Sequence, residues 1–381
     1  MSPLQDTESN QHELHAGHEL ETGVLARVRE WIDIFPWLRL LRTLRMAGSP
    51  SMILIAMLTL AIWLPVYQWI LGDPAIPGAP ATAVTNAVVT NPDSGIIGSG
   101  IIGSGIAAAP RLQTRWPWMW VNEAFWVAEQ HRGGNVVRTL CGLLWTLIAW
   151  SFASLVFVRQ GGLLTAGRPM LRFNTLVTSI LPRFFAAWIA GIVPLLCVAA
   201  LGAMIWTIGW IAAWLPEWGI VQFPLALLIT VLAIPCGILA FGGFVAVALA
   251  WAAIANERDP DALDALSRGY EYLYRRPAHL ILYGIVSLAL LWIVMFLVNG
   301  VTYAAAGITL VVLDWTTAPA MTGTFVLQII SLVPSATAFA FAWGLIGGVY
   351  LLIRFDAGGQ QVEDLWMPAA TPADPLPTLP A

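Results

Sequence analysis

The chain has 381 residues, 58% hydrophobic and only 10% charged, with a mean hydropathy of +0.75. Soluble domains carry roughly 25% charge, so the composition excludes an ordinary soluble enzyme and places the chain among polytopic membrane proteins. The net charge of −4 decides little for such a chain; the positions of its 18 basic residues, all Arg, decide more.

Residues 1–22 are polar and read as a disordered tail without the apolar core of a secretory signal. His12, His15 and His18 lie three apart, but a disordered His-containing tail is the simpler reading than a metal site. Residues 23–50 are predicted as cytoplasmic amphipathic surface helices, divided at Pro36. Trp31, Phe35, Trp37, Leu38, Leu41 and Leu44 are apolar there, while Arg39, Arg42 and Arg45 recur every three residues. A basic amphipathic helix ahead of a span suits an anionic membrane surface. These three arginines are therefore candidate lipid or partner contacts. The apolar opposite face argues against DNA binding, and no nucleic-acid partner is expected.

Residues 51–71 form the first predicted span, near the roughly 20 residues needed to cross the hydrocarbon. Residues 72–138 read as an extracytoplasmic region, Gly- and Pro-rich in its first half. The repeated GIIGSG, sharing Gly100, lacks a following Lys and is no phosphate loop. The second half, WPWMWVNEAFWVAEQHR, predicts an aromatic interfacial helix with Trp118 and Trp126 as candidate lipid or partner contacts. Glu129 and His131 are two apart and do not share a helix face, which argues against an acid–base or metal pair.

Residues 139–356 are predicted as a five-span bundle. The second span covers about 140–158 and is closed by Arg159. A turn is expected over 161–172 around Gly161 and Gly162, then a short surface helix over 170–181. The third and fourth spans, 184–210 and 223–252, contain Pro194 and Pro235 and carry no charge. Their blocks exceed 25 residues, predicting tilt, a kink or an extra helix. Cys141, Cys197 and Cys236 lie far apart in apolar runs and read as small buried side chains. The fifth span covers 280–297, a polar loop is expected over 299–323, and the sixth span covers 324–353. Residues 357–381 are Pro-rich and predicted disordered.

Residues 251–280 separate the fourth and fifth spans and are patterned. Within 261–276, Ala262, Leu263, Leu266, Tyr270, Leu273 and Tyr274 recur at spacings of three and four, predicting an amphipathic surface helix. Asp264–Arg268 and Glu271–Arg275 are acid-before-base pairs at i,i+4, worth about 0.2–0.5 kcal/mol each. Asp261 is the predicted N-cap, with Asp264 completing a weak capping box, and Pro277 ends the helix. Arg268, Tyr270, Tyr274, Arg275 and Arg276 are candidate lipid or partner contacts.

This segment resembles a family of uncharacterised polytopic inner-membrane proteins common among planctomycetes. The likeness rests on Ala253, Ile254, Ala255 and Glu257, then Asp264-Ala265-Leu266-Ser267-Arg268, Tyr270, Tyr272, Arg276 and Pro277. It extends weakly back to about Trp150 and departs after the second span, where Gly161 and Gly162 are displaced. The resemblance implies a multi-span bacterial inner-membrane protein and carries no activity with it.

With the N-terminus inside and six crossings, Arg111, Arg115, Arg132 and Arg138 fall outside and the other 14 arginines inside. That bias predicts both termini in the cytoplasm. The fold class is thus all-α: a polytopic transmembrane helical bundle of about six spans with interfacial amphipathic helices. Small faces at Gly237, Gly242, Gly243, Gly344, Gly347 and Gly348 are expected to let helices approach closely. No HExxH, GxSxG, CxxC or P-loop occurs, and no catalytic, cofactor or metal residue is assigned. A non-catalytic subunit or scaffold of a larger inner-membrane complex is the first expectation, with lipids and other membrane subunits as partners. A transporter or permease for an apolar or lipid-like solute is the second, and a membrane-embedded lipid-modifying enzyme the third.

Overall fold

Apolar helices in a bilayer satisfy their own backbone, so what distinguishes one bundle from another is how closely its helices approach. The computed structural model describes residues 31, 34–71, 136–215, 218–258, 261–315, 320–358 and 360–367. The polar N-terminal tail, the Gly-rich repeat, the aromatic segment with Trp118 and Trp126, and residues 368–381 lie outside the described residues.

A 3-10 helix, Pro36–Thr43, opens with its proline at the first position and leads into α1, Leu44–Ala47. The long helices are α2 (Pro50–Leu71), α3 (Val136–Thr165), α5 (Phe184–Trp214), α6 (Gly219–Asn256), α8 (Pro277–Trp315) and α9 (Ala320–Gly358). Two short helices, α4 (Phe173–Ile180) and α7 (Ala262–Arg275), join them. The protein is an all-helical bundle with six helices long and apolar enough to cross a membrane among the described residues.

Helix α9 is the axis of the bundle. Its most apolar stretch is 89% buried inside the protein, against 6% for the corresponding stretch of α6. Helix α3 runs parallel to it, with Trp150 against Phe339, Gly161 against Gly344 and Thr165 against Gly348. The crossing is backbone on backbone. A methyl group on Gly161 would land on the Gly344 carbonyl, and one on Gly347 would land on the Val158 carbonyl. Here the structure departs from the sequence expectation: α3 continues to Thr165, so Gly161 and Gly162 form a helix-packing surface, not a turn. The turn falls at Gly167, whose φ of 75° lies in the left-handed region glycine favours. Helix α2 closes this core, with the Trp63 indole donating to Thr146 Oγ1 (2.9 Å) and the Trp145 indole to the Trp63 carbonyl (3.1 Å).

Two long antiparallel hairpins are formed: α5–α6 lies beside the core, and α8 pairs with α9 itself. The first is registered by Arg183 near Ile254, Trp251 against Ala187 and Gln222 against Ala212. The prolines at 194, 224, 235 and 334 are accommodated inside continuous helices. Each long block is therefore one helix, and the 38 residues of α6 make about 57 Å. The hydrocarbon is about 30 Å thick, so these helices tilt or extend past it. The polar loop expected over 299–323 is corrected likewise: α8 runs unbroken to Trp315, and the hydroxyls of Thr302 and Thr309 bond back to Val298 and Ala305. The two threonines are satisfied by their own helix, and Asn299, Gly300 and Gly307 lie within it without stopping it. The cysteine expectation also fails in part, because Cys141 and Cys197 are exposed on outer helix faces.

The Gly161–Gly344 crossing has a direct test. Gly161→Ala or Gly347→Ala should cost about 1–3 kcal/mol through overpacking, read as a lowered unfolding temperature in a fixed detergent. Gly284→Ala, whose added carbon meets nothing within 4 Å, should be neutral or mildly stabilising, because Ala favours helix over Gly. Equal effects at the three positions would contradict the backbone contact.

Candidate functional site

The charged groups gather at one end of the bundle. Arg159, at 0% exposure near the end of α3, donates to Asn256 Oδ1 (3.2 Å), to the Trp366 carbonyl and to Met367 Sδ (3.8 Å). Arg183, ahead of α5, donates to the carbonyls of Ile254 (2.6 Å) and Ala255 (3.1 Å) at the end of α6. Those carbonyls lack intrahelical partners and carry the negative end of the helix dipole, so a guanidinium caps them well. Both arginines also lie over the Trp366 ring, at 5.6 and 4.1 Å from its centroid.

The C-terminal strap, 360–367, is drawn into this cluster. Trp366 N–H donates to the Asn256 carbonyl (3.2 Å), Arg354 donates to the Asp364 carbonyl (2.6 Å), and Arg39 pairs with Glu363 at 2.6 Å. Val362 and Leu365 are buried. The expected disorder from 357 onward is corrected to this extent: α9 runs to Gly358 and 360–367 are packed against the core. Two of the three donors, Arg39 and Arg159, are distant from the strap in sequence, a signal that local periodicity does not carry.

Helix α7 is held by a carboxylate. Glu257, the C-cap residue of α6, accepts from Arg268 through both oxygens (2.9 and 2.8 Å) and from the Tyr350 hydroxyl of α9. Arg268 also pairs with Asp264 at 2.6 Å, and Arg275 with Glu271 at 2.6 Å, as the spacing predicts. The Asp261 carboxylate caps the helix by accepting from Leu263 N–H (3.0 Å), while Asp264 is engaged by Arg268. Burial pulls the Arg268 guanidinium down, but Glu257 and Asp264 outweigh it and leave its pKa above the ordinary value.

The buried face of α7 differs from the one its large side chains mark. Ala262, Ala265, Leu266, Gly269 and Tyr272 are buried, whereas Leu263 and Tyr274 are exposed. Gly269 sits on the Ala246 carbonyl, so small residues let α7 lie flush against α6. Tyr270 and Tyr274 rings stack, cover Gly242, and donate to the carbonyls of Leu239 (3.1 Å) and Ile238 (3.0 Å). Burial, then Tyr274 and Cys197, push the Tyr270 phenol up to about 12.

Beyond this locked end the two hairpins separate, meeting chiefly through α6 against α9. Between them lies a cavity of about 750 Å³ lined by α5, α6, α8 and α9. Small-molecule sites of this kind span roughly 300–1,000 Å³. Its lining is almost wholly apolar and holds no charged residue. Trp251 and Trp343, stacked with centroids 5.2 Å apart, both line it. Trp251 N–H donates to the Ala187 carbonyl (2.8 Å) and Cys236 Sγ points at the Val198 carbonyl (3.9 Å). Trp343 and Ser287 also line it, but their indole N–H and hydroxyl are occluded from it and have no acceptor among the described residues.

The predicted contact residues thus fall in different places. Arg39 is tied to the strap, Arg42 lies beside Gly167, and Arg45 is exposed. Arg268 and Tyr270 are internal clamps, Arg275 and Tyr274 are exposed, and Arg276 is the C-cap of α7. None of them lines the cavity. Sequence reasoning missed the cavity because it is formed by the divergence of helices far apart in the chain. Among the described residues no group of three His, Cys, Asp or Glu side chains could hold a metal. No family model, curated protein or solved structure matches the chain.

Arg268→Ala should lower stability by about 1–2 kcal/mol, because it strips two hydrogen bonds from a partly buried carboxylate. Arg275→Ala, breaking an exposed pair, should stay within about 0.5 kcal/mol; denaturation of the two variants in one detergent checks the contrast. Tyr270 adds a pH dependence. Its folded pKa is raised, so its contribution is complete below pH 10, the ordinary tyrosine value, and is lost as pH rises through about 12. Tyr270→Phe should flatten that part of the stability profile measured between pH 9 and 12.

Proposed function

We propose that the protein is a multi-pass bacterial inner-membrane carrier or permease that takes an apolar, lipid-like molecule into the gap between its two long hairpins. Both termini lie in the cytoplasm in this reading, with the arginine-rich locked end on that side, following the bias of basic residues.

The observation that carries the reading is the cavity: about 750 Å³, almost wholly apolar, with no charged side chain to bind an ion or a polar headgroup. A solute that partitions into lipid needs no buried charge, and Pro194 at the cavity wall adds a point at which α5 can bend. The gap is walled by two hairpins that are locked together at one end by Glu257, Arg268, Tyr350 and the strap, which suits a closing motion about that end. The subunit or scaffold role, first on sequence grounds, has no feature among the described residues that selects a partner. For the lipid-modifying role, Cys236 and Ser287 of the lining have no acid or base beside them in that lining, which holds no charged residue and no His.

The reading is tested by filling the gap. Gly202 and Gly284 both line it, and an added carbon at either meets nothing within 4 Å. Gly202→Phe and Gly284→Phe should therefore leave the folded bundle intact while reducing retention of a fluorescent fatty-acyl probe by tenfold or more in reconstituted vesicles. Unchanged retention in both well-folded variants would overturn the reading.

A further inference from the structure

The strap covers charge that it does not neutralise. Every acceptor of the Arg159 guanidinium among the described residues is neutral: the Asn256 amide oxygen, the Trp366 carbonyl and the Met367 sulfur. Arg183 donates to the carbonyls of Ile254, Ala255 and Arg258. The two guanidiniums face one ring, Trp366, at 5.6 and 4.1 Å from its centroid. Their residues are 0% and 4% exposed. A buried cation that meets only neutral groups is costly to keep, and a second cation beside the same ring adds repulsion.

The cover over this pair is thin. Gln361, Glu363, Asp364 and Met367 are exposed and Trp366 is half-buried, so the strap is the outermost layer here. It follows α9 and contains no helix, so lifting it moves none of the bundle. Its buried side chains are Val362 and Leu365. Its ion pair, Arg39–Glu363, lies at the surface, where such pairs contribute little. The atoms set against Arg159 Nη2 are the Trp366 carbonyl oxygen and Met367 Sδ. Lifting the strap therefore uncovers that nitrogen together with the face of Arg183 under the Trp366 ring.

A phosphate oxygen offers the acceptor that the Trp366 carbonyl now supplies, and it adds the negative charge that the carbonyl lacks. Hydrogen bonds from a guanidinium to phosphate are about twice as strong as neutral ones. We propose that the strap is a displaceable lid over an anion site, and that a phosphate group takes its place on Arg159 and Arg183. A lipid headgroup and free phosphate share this chemistry. The site lies at the locked end and does not depend on what fills the gap between the hairpins.

The test uses the full chain without substitution. Amide hydrogen exchange is followed by mass spectrometry over residues 360–367, where Trp366 N–H bonds across to the Asn256 carbonyl of α6. Exchange of that amide reports local opening of the strap. In detergent, inorganic phosphate is compared with chloride at matched ionic strength. In nanodiscs, phosphatidylcholine alone is compared with phosphatidylcholine mixed with phosphatidic acid. Exchange at Trp366 should rise about tenfold with phosphate, the change produced by a ligand that binds only the open form at about ten times its dissociation constant for that form. A response to both sources assigns the site to the phosphate group itself, a response to phosphatidic acid alone assigns it to a headgroup, and a response to inorganic phosphate alone assigns it to a soluble anion. Arg159→Gln keeps a donor for the Trp366 carbonyl without the charge, and should abolish the response. Exchange unchanged by both sources would overturn the proposal, and the wild type decides this even if the variant does not fold. Equal acceleration by chloride would also overturn it, because screening of the Arg39–Glu363 pair would then be the cause. So would a full response in a folded Arg159→Gln variant.

Discussion

The contact of backbone with backbone between α3 and α9 sets the geometry of this protein. Lipid tails are as apolar as leucine, so helices in a bilayer are held by close packing and by the few polar bonds they can share. Gly161 on α3 meets Gly344 on α9 backbone to backbone, and Gly347 meets the backbone of Val158 and Gly162, while Gly348 receives the Thr165 side chain. Asn256 from α6 reaches Gly162 at the same level, and Leu40 reaches Gly348. A bulkier residue at these positions would displace the axis on which every other element is placed.

The polar chemistry is built around that crossing. Arg159, Arg183 and Arg354 are nearly or fully buried, and each is used as a donor to backbone carbonyls of helix ends or of the strap. Buried guanidinium groups are costly unless bonded, and here the cost is offset by satisfying carbonyls that would otherwise be orphaned. The result is an asymmetric molecule. One end is cross-linked by arginines, Glu257 and Trp366; the other consists of apolar hairpins with little between them. The cavity is the consequence of that asymmetry, since α6 touches α9 near the locked end and the helices part beyond it.

Much of the fold was legible in the chain. Length and apolarity mark the six long helices, and the spacing of Asp264–Arg268 and Glu271–Arg275 predicts two ion pairs that form. Asp261 caps α7 as its position suggests. The failures share a cause. Gly161 and Gly162 resemble a turn in water but serve as a contact surface in a bundle, and the polar residues after 298 resemble a loop but bond to their own helix. The apolar pattern of α7 pointed to Leu263 and Tyr274, whereas the buried face is chosen by small residues that admit the backbone of α6. The Arg159–Asn256–Trp366 cluster joins residues 97 or more positions apart, and the cavity is walled by four different helices, so no local pattern announces them.

A bundle locked at one end leaves an apolar gap between two hairpins, and we propose that a lipid chain occupies it. An experimental density map of the protein in lipid nanodiscs tests it most directly. The α5–α6 and α8–α9 hairpins should stand apart beyond the Trp251–Trp343 stack, with elongated density between them. Hairpins packed together with the gap closed, or a protein helix filling it, would contradict the account.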